Sequence, residues 1–287
     1  MFFKIKGASY TRNSHRVQKI CYHFTPFPVE KSDMTQLKAV IFDVDGTLAE
    51  TERDGHRVAF NNAFSDAGLD WQWDETLYGQ LLAITGGKER IRYFLSEFNQ
   101  SFQYDGELTQ FIASLHAEKT KHYVTLLESN AIALRPGVVR LINEIRERGL
   151  RLAIATTTTP ANVTALVTNT LGAEALDWFD CIAAGDIVPA KKPAADIFDY
   201  CLEQLGLLAE ECLVFEDSAN GVLSSCGANI PTIVTLNNYT KDDDFSGAVS
   251  VLDHLGEPEL ACNVILGQKI TGSFVTVDDL KLFHAQQ

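Results

Sequence analysis

Two hydrophobic rhythms alternate along most of the chain. Short runs such as Ala39-Val40-Ile41-Phe42 and Cys212-Leu213-Val214-Phe215, with similar ones at 150–155 and 232–236, are apolar on both faces. Strands have that pattern when helices cover a parallel sheet from both sides. The longer stretches between them repeat at helical spacing. Val138, Val139, Leu141, Ile142 and Ile145 predict one helix that stops at Gly149, and others are predicted near 161–171, 194–205 and 219–226. A short apolar segment lies at 181–184. This alternation predicts an α/β fold with a Rossmann-like parallel sheet core, whose ligands bind at the carboxyl ends of the strands.

The stretch from 50 to about 130 breaks the alternation and reads almost wholly as helix. Val58, Ala59, Ala63, Phe64 and Ala67 fall near helical spacing within 56–68, and Gly68 fits a C-cap. Ile91, Phe94, Leu95 and Phe98 form an apolar stripe at i, i+3, i+4, i+7, and a further helix covers about 108–127. Strands resume afterwards. The expected organisation is therefore an α/β core of 37–50 and 131–260, an inserted α-helical cap at 51–130, and a C-terminal segment, 261–287, on the core.

Residues 1–36 are expected to be an N-terminal extension. Up to Pro28 the segment carries Lys4, Lys6, Arg12, Arg16 and Lys19 but no acid. A basic, acid-free leader can be a transit peptide, which would place the protein in an organelle stroma. The favoured readings are plainer: a disordered extension, or an over-long start with Met34 as the true first residue, and a cytoplasmic protein.

Composition narrows the function. A formal charge of −14 argues against nucleic acid as a partner, because a phosphate backbone demands a basic face. No apolar stretch approaches the roughly 18 residues of a membrane helix, so a soluble protein with no membrane role is expected. Six cysteines without Cys-x-x-Cys spacing read as reduced core residues, neither a disulfide framework nor a zinc site. No obligate protein partner is evident.

The chemistry concentrates at strand ends. After the first strand comes Asp43-Val44-Asp45-Gly46-Thr47-Leu48. Alternate side chains share a face, so Asp43 and Asp45 point into one crevice. Gly46 permits a sharp turn, and Thr47 can hydrogen-bond back to it. The two carboxylates repel one another and call for a cation, and such a hard oxygen site suits Mg²⁺. The strand at 150–155 leads into Thr156, with Thr157 beside it as an alternative hydroxyl. Lys191-Lys192-Pro193 precedes the helix at 194–205, and Glu216-Asp217 ends the strand at 212–215, where buried acids again need a cation.

Four such motifs in this order and spacing resemble the haloacid dehalogenase superfamily over about 37–253. The resemblance implies that Asp43 is the nucleophile, that Asp45 is the acid and base, and that Thr156 and Lys192 hold the phosphoryl oxygens. It also implies that Asp43, the Asp45 carbonyl, Glu216 and Asp217 bind Mg²⁺. Which of Lys191 and Lys192 meets phosphate is open at this point. An acid at position 45 points to phosphate esters, since the dehalogenases and phosphonate hydrolases of this fold lack one.

In the helical insert, Thr85-Gly86-Gly87-Lys88-Glu89-Arg90 opens a helix whose free amides suit an anion, with Lys88 and Arg90 adding charge for a second phosphate. Together with the stretches around Glu52, His56, Tyr78 and Arg135 this resembles the CbbY-type group. The Asp54-Gly55 step before His56 is one residue longer than in some bacterial members. The resemblance implies that Glu52, His56, Tyr78, Lys88 and Arg90 hold a sugar and its distal phosphate. It further implies a phosphatase that converts xylulose 1,5-bisphosphate to xylulose 5-phosphate and so removes a Rubisco inhibitor. A β-phosphoglucomutase-like mutase and a broader sugar-phosphate phosphatase are the alternatives.

Overall fold

The computed structural model describes residues 36–129 and 132–286. The expectations for the leader at 1–33 lie outside the described residues. A seven-stranded sheet runs in the order β3-β2-β1-β4-β5-β6-β7. Its strands are β1 (Ala39–Phe42), β2 (Arg151–Thr156), β3 (Cys181–Ala184), β4 (Cys212–Glu216), β5 (Thr232–Thr235), β6 (Ser250–Leu252) and β7 (Val264–Gly267). The first six pair in parallel, whereas β7 runs antiparallel to β6. The strand order reverses between β1 and β4, and in an open sheet that reversal leaves the crevice where ligands bind. Phe42 pairs with Phe215, so Asp43 and Glu216 leave the sheet side by side.

Alternate strand residues serve opposite faces of the sheet. Val40, Phe42, Leu152, Ile154, Leu213 and Phe215 pack against α5 (Val138–Glu147), α6 (Pro160–Leu171) and α9 (Val277–Ala285). The other face is built from smaller residues, among them Ala39, Ala153, Ala155 and Ala183, and takes α7 (Asp196–Leu205). Near β5, Val222 of α8 (Ala219–Gly227) packs on Val234 and Val251. Sealing both faces is what makes these strands read as unbroken apolar runs.

Helices α1 (Arg57–Asp66), α2 (Glu75–Leu81), α3 (Gly87–Glu97) and α4 (Leu108–Glu128) lie between β1 and α5. They share an aromatic cluster of their own, with Phe60, Phe64, Trp71, Trp73, Tyr78 and Phe94 at its centre. The helix expected from His56 begins at Arg57, because Glu52–His56 forms a wide π turn closed by the Arg57 amide on the Glu52 carbonyl. Such a turn takes up one extra residue without breaking the helix.

Three elements differ from the sequence reading. β6, β7 and α9 were not anticipated, and the sheet is parallel only as far as β6. β7 is an edge strand whose Ile265 and Leu266 are more than half exposed, so it lacks the sealed-strand pattern. Asp242-Asp243-Asp244, read as a solvated loop or helix start without a role, forms a turn in which Asp243 Oδ2 accepts the Ala219 amide at 3.0 Å. The five described cysteines are free. Among the described residues no helix is long and apolar enough to cross a membrane.

Candidate active site

The crevice between β1 and β4 gathers three of the expected carboxylates. One oxygen from each of Asp43, Glu216 and Asp217 lies within 4.8 Å of the others, and all three residues are buried. Asp43 stays in line with the sheet because its amide donates to the Phe215 carbonyl at 3.0 Å. Gly46, at φ +82°, turns the chain beneath them, and a Cβ there would lie 2.1 Å from Asp217 Oδ2. Glycine is required on both counts, conformation and space.

Lys192 settles which lysine enters the crevice. Its Nζ donates to Asp43 Oδ1 at 2.6 Å, to Glu216 Oε1 at 2.5 Å and to the Ala155 carbonyl at 2.9 Å. Lys191 turns the other way, to Glu89 and Asp186. One ammonium cannot neutralise three buried carboxylates. Burial pushes Asp43 up to about 8, with Lys192 opposing and Glu216 adding to the rise, and Asp217 is likewise driven well above the carboxylate range, chiefly by burial. The surplus negative charge and the oxygen-only donor set fit a hard divalent cation.

Asp45 turns its carboxylate out of this trio and toward Glu52 and His56, with which it forms a second group of ligand atoms within 4.8 Å of one another. Asp45 Oδ1 accepts from Thr51 Oγ1 at 2.6 Å and meets His56 Nε2 at 2.7 Å. Burial works to raise its pKa, but His56, then Thr51 and Lys119, hold Asp45 well below the usual carboxylate range. His56 stacks on Tyr123 at 4.1 Å, and its Nδ1 lies 2.7 Å from Lys119 Nζ. A lysine ammonium has only donors, so Nδ1 accepts and the ring proton sits on Nε2, facing Asp45.

Lys119 did not emerge from the sequence, although a signal was present. It continues the buried stripe Ile112, Leu115, Lys119, Tyr123 of α4, a charged residue in an apolar register.

The remaining expected residues divide into two sets. Tyr78 Oη donates to Glu52 Oε2 at 2.5 Å and accepts from Arg90 Nη1 at 2.7 Å, while the Arg90 Nε is buried without a partner. Lys88 stands apart from that set and pairs with Asp186. Thr156 is buried at the end of β2, where its Oγ1 accepts the Thr158 amide at 3.3 Å. Thr156 lines the crevice together with Thr157, so both hydroxyl-bearing residues are brought to it.

The crevice around Asp43, Lys192 and Asp217 encloses about 340 Å³. A second cavity of about 450 Å³, lined by His56, Lys88, His116, Lys119 and Lys191, shares Asp45, Glu52, Arg90 and Thr157 with the first. The paired cavities have room for a ligand longer than one phosphate group.

A doubly wound sheet with a carboxylate just after its first strand, a lysine between two acids and carboxylates at the switch point is the arrangement of the haloacid dehalogenase-like hydrolases. The profile of that family, described as haloacid dehalogenase-like hydrolase, matches residues 37–225. The chain belongs to this family and is an enzyme of its phosphatase type. It is similar to the protein CbbY (plasmid) of Cupriavidus necator, 46% identical over 222 residues that cover 77% of this chain and 87% of that protein. CbbY of Rhodobacter capsulatus is 48% identical over 213 residues, 74% of this chain and 91% of that one. Among solved structures, mutant CbbY from Rhodobacter sphaeroides in complex with xylulose-(1,5)bisphosphate has a TM-score of 0.70 at 44% identity, covering 76% of this chain and 95% of its own.

Proposed function

We infer that this chain is a Mg²⁺-dependent phosphatase that hydrolyses xylulose 1,5-bisphosphate to xylulose 5-phosphate, a reaction that removes a Rubisco inhibitor. The observation that carries the reading is Lys192 seated between Asp43 and Glu216, beside a second, cation-rich cavity. The similarity to a CbbY protein that binds xylulose-(1,5)bisphosphate supports the choice of substrate. In this reading 37–50 and 131–260 carry the chemistry, 51–130 selects the sugar, and 261–287 supports the core.

Asp43 attacks phosphorus in line. The bond from phosphorus to the sugar oxygen breaks as the bond to the Asp43 carboxylate forms. Lys192 and Thr156 steady the phosphoryl oxygens, each as a fixed donor aimed at developing charge. Bound between Asp43, the Asp45 carbonyl, Glu216 and Asp217, Mg²⁺ would neutralise the transferring group. Asp45 gives its proton to the departing alcohol and then takes one from the water that cleaves the acyl phosphate, restoring Asp43 and releasing phosphate. Paired with His56 and Thr51, Asp45 is held ionised. A phosphoryl dianion set beside it raises its proton affinity by like-charge repulsion, which equips it as the acid when substrate is present. Glu52, Tyr78 and Arg90 form a linked set on the sugar side, and His56 aims Asp45.

The test is phosphate release with Mg²⁺ from xylulose 1,5-bisphosphate, ribulose 1,5-bisphosphate, fructose 1,6-bisphosphate and glucose 1-phosphate, with Asp43→Asn as control. A strong preference for the first, abolished by the substitution, is the expected result. No release from any of them overturns the reading. Conversion of a hexose 1-phosphate to the 6-phosphate with little free phosphate replaces it with a mutase.

A further inference from the structure

The loop after β5 carries an arrangement that phosphoryl transfer does not use. Asn237 Nδ2 donates to Asp217 Oδ2 at 2.6 Å, while Asn237 Oδ1 accepts the amides of Tyr239 at 2.8 Å and Thr240 at 3.2 Å. Those two amides fix which end of the side chain is oxygen, so the nitrogen faces the carboxylate. Thr240 Oγ1 in turn accepts the Asn237 amide at 3.2 Å. One side chain thereby holds both the aim of Asp217 and the course of 237–240. A Cβ on Gly46 would lie 2.6 Å from Asn237 Nδ2, so the turn after β1 leaves room for this amide as well as for Asp217.

The loop then reaches out of the core. Tyr239 comes from the α/β part of the chain, yet it packs against the aromatic cluster of the helical insert, whose other members all lie between Phe60 and Leu115. Its ring stands edge-on to Tyr78 at 6.0 Å, and a Cβ on Gly79 would lie 3.2 Å from its Cδ1, so the missing side chain lets the ring rest on α2 itself. Tyr78 is the residue that bonds Glu52 and Arg90. Tyr239 Oη is buried without a partner, so the ring and not the hydroxyl accounts for its position. Asn220 makes a second tie to the same segment, its Nδ2 donating to the Ala83 carbonyl at 3.3 Å and to Thr85 Oγ1 at 3.2 Å. Both ties start beside Asp217 and end within 78–85.

We propose that Asn237 and Tyr239 are positioning residues that couple a cation at Asp217 to the seating of α2: Asn237 locks the carboxylate and its own loop into one unit, and the Tyr239 ring carries that order to Gly79 and Tyr78. The proposal rests on the reading of the crevice as a Mg²⁺ site and adds to it a route toward the sugar side. Lys192 bonds Asp43 and Glu216 but not Asp217, so without a cation the third acid meets the repulsion of the other two. A divalent cation cancels that repulsion and draws Asp217 to one place. Asn237, whose oxygen is engaged by two amides, follows only together with 237–240. An outer partner of this kind orients a metal carboxylate and is felt in metal affinity. Coupling is reciprocal, so whatever the cation adds to the seating of α2, a seated α2 adds to cation affinity.

The test uses the full chain and Mg²⁺ alone, without sugar. Amide hydrogen exchange across 75–85 is followed with and without saturating Mg²⁺, and Mg²⁺ binding is measured by calorimetry, in the wild type, Asn237→Ala, Tyr239→Ala and Tyr239→Phe. Mg²⁺ is expected to slow exchange in 75–85 by about fivefold in the wild type and in Tyr239→Phe, which keeps the ring. Tyr239→Ala is expected to lose the slowing and, by reciprocity, about fivefold in Mg²⁺ affinity. Asn237→Ala is expected to lose the slowing and to bind Mg²⁺ about tenfold or more weakly. Mg²⁺ binding to the wild type with no slowing in 75–85 overturns the proposal, and so does full slowing in Tyr239→Ala, its loss in Tyr239→Phe, or an Asn237→Ala affinity within about twofold of the wild type. The first of these needs no variant, so the proposal stays refutable even where an alanine variant does not fold. No Mg²⁺ binding to the wild type removes the metal reading and the proposal with it, which separates that failure from the others.

Discussion

Lys119 offers the sharpest separation between what holds the fold and what drives the reaction. The residue is 4% exposed, and its ammonium lies over the Phe60 and Tyr123 rings at 5.0 and 5.1 Å and donates to His56 Nδ1. Burial pulls its pKa from 10.5 down to about 8 against the attraction of Asp45 and Glu52. That depression corresponds to about 3 kcal/mol by which the folded state disfavours the charged form at neutral pH. Lys119→Met removes this cost. It also removes two cation–π contacts, roughly 1–2 kcal/mol together, and leaves His56 Nδ1 without a donor, about 1–3 kcal/mol. The terms nearly cancel, so the variant is expected to match the wild type at pH 7 to within about 2 kcal/mol in urea unfolding.

The pH dependence then isolates the lysine. Between about 8 and 10.5 the unfolded wild-type chain holds a proton at Lys119 that the folded chain has released, so wild-type stability rises with pH across that window. The methionine variant lacks this rise and falls behind by up to about 3 kcal/mol. Its kcat is expected to drop about 100-fold, the low end for a disturbed acid–base group, because His56 no longer has its proton fixed on the nitrogen facing Asp45. An unchanged kcat, or a stability difference that stays constant from pH 7 to pH 10, would refute the argument.

Arg135 makes a structural prediction. Its guanidinium donates to the carbonyls of Gly46, Thr235, Leu236 and Asp253, tying the loop after β1 to the ends of β5 and β6. Arg135→Met is expected to cost about 3–5 kcal/mol in urea unfolding through carbonyls left buried without donors, and Arg135→Lys to recover less than half. For the metal, Asp43 pushed up to about 8 and Asp217 raised above the carboxylate range mean that the metal-free site holds protons more tightly than free carboxylates do. Binding of Mg²⁺ must expel them, so its affinity rises with pH, and calorimetric enthalpies measured in two buffers differ by the buffers' ionisation heats. Buffer-independent enthalpies would defeat this.

How far the sequence reveals this molecule depends on the range of the interaction involved. The carboxylates at positions 43, 216 and 217 were legible because each sits at the end of a sealed apolar strand, and parallel packing alone delivers strand ends to one crevice. The linked set of Glu52, Tyr78 and Arg90 was legible only through family resemblance, since nothing local says that residues 26 positions apart will share a hydrogen bond. Lys191 and Lys192 show the limit most clearly. Two adjacent lysines of identical chemistry diverge, one into the trio of acids and one into the second cavity. Neither composition nor spacing separates them, because the choice is made by side-chain direction along an irregular segment. The same holds for the edge of the sheet. Ile265, Leu266 and Gly267 of β7 are exposed, so the strand carries no sealed pattern, and the chain's return from β6 is held by Asn263 Nδ2 donating to Asp253 Oδ2 at 2.6 Å. Periodicity reports burial; it says little about which buried or half-buried neighbour a polar group will find. Charge does say something: a lysine on an apolar stripe, or a basic cavity in an acidic chain, is costly unless paired. Lys119 and Lys191 are therefore the positions where a sequence of this class should be searched for partners before a structure exists.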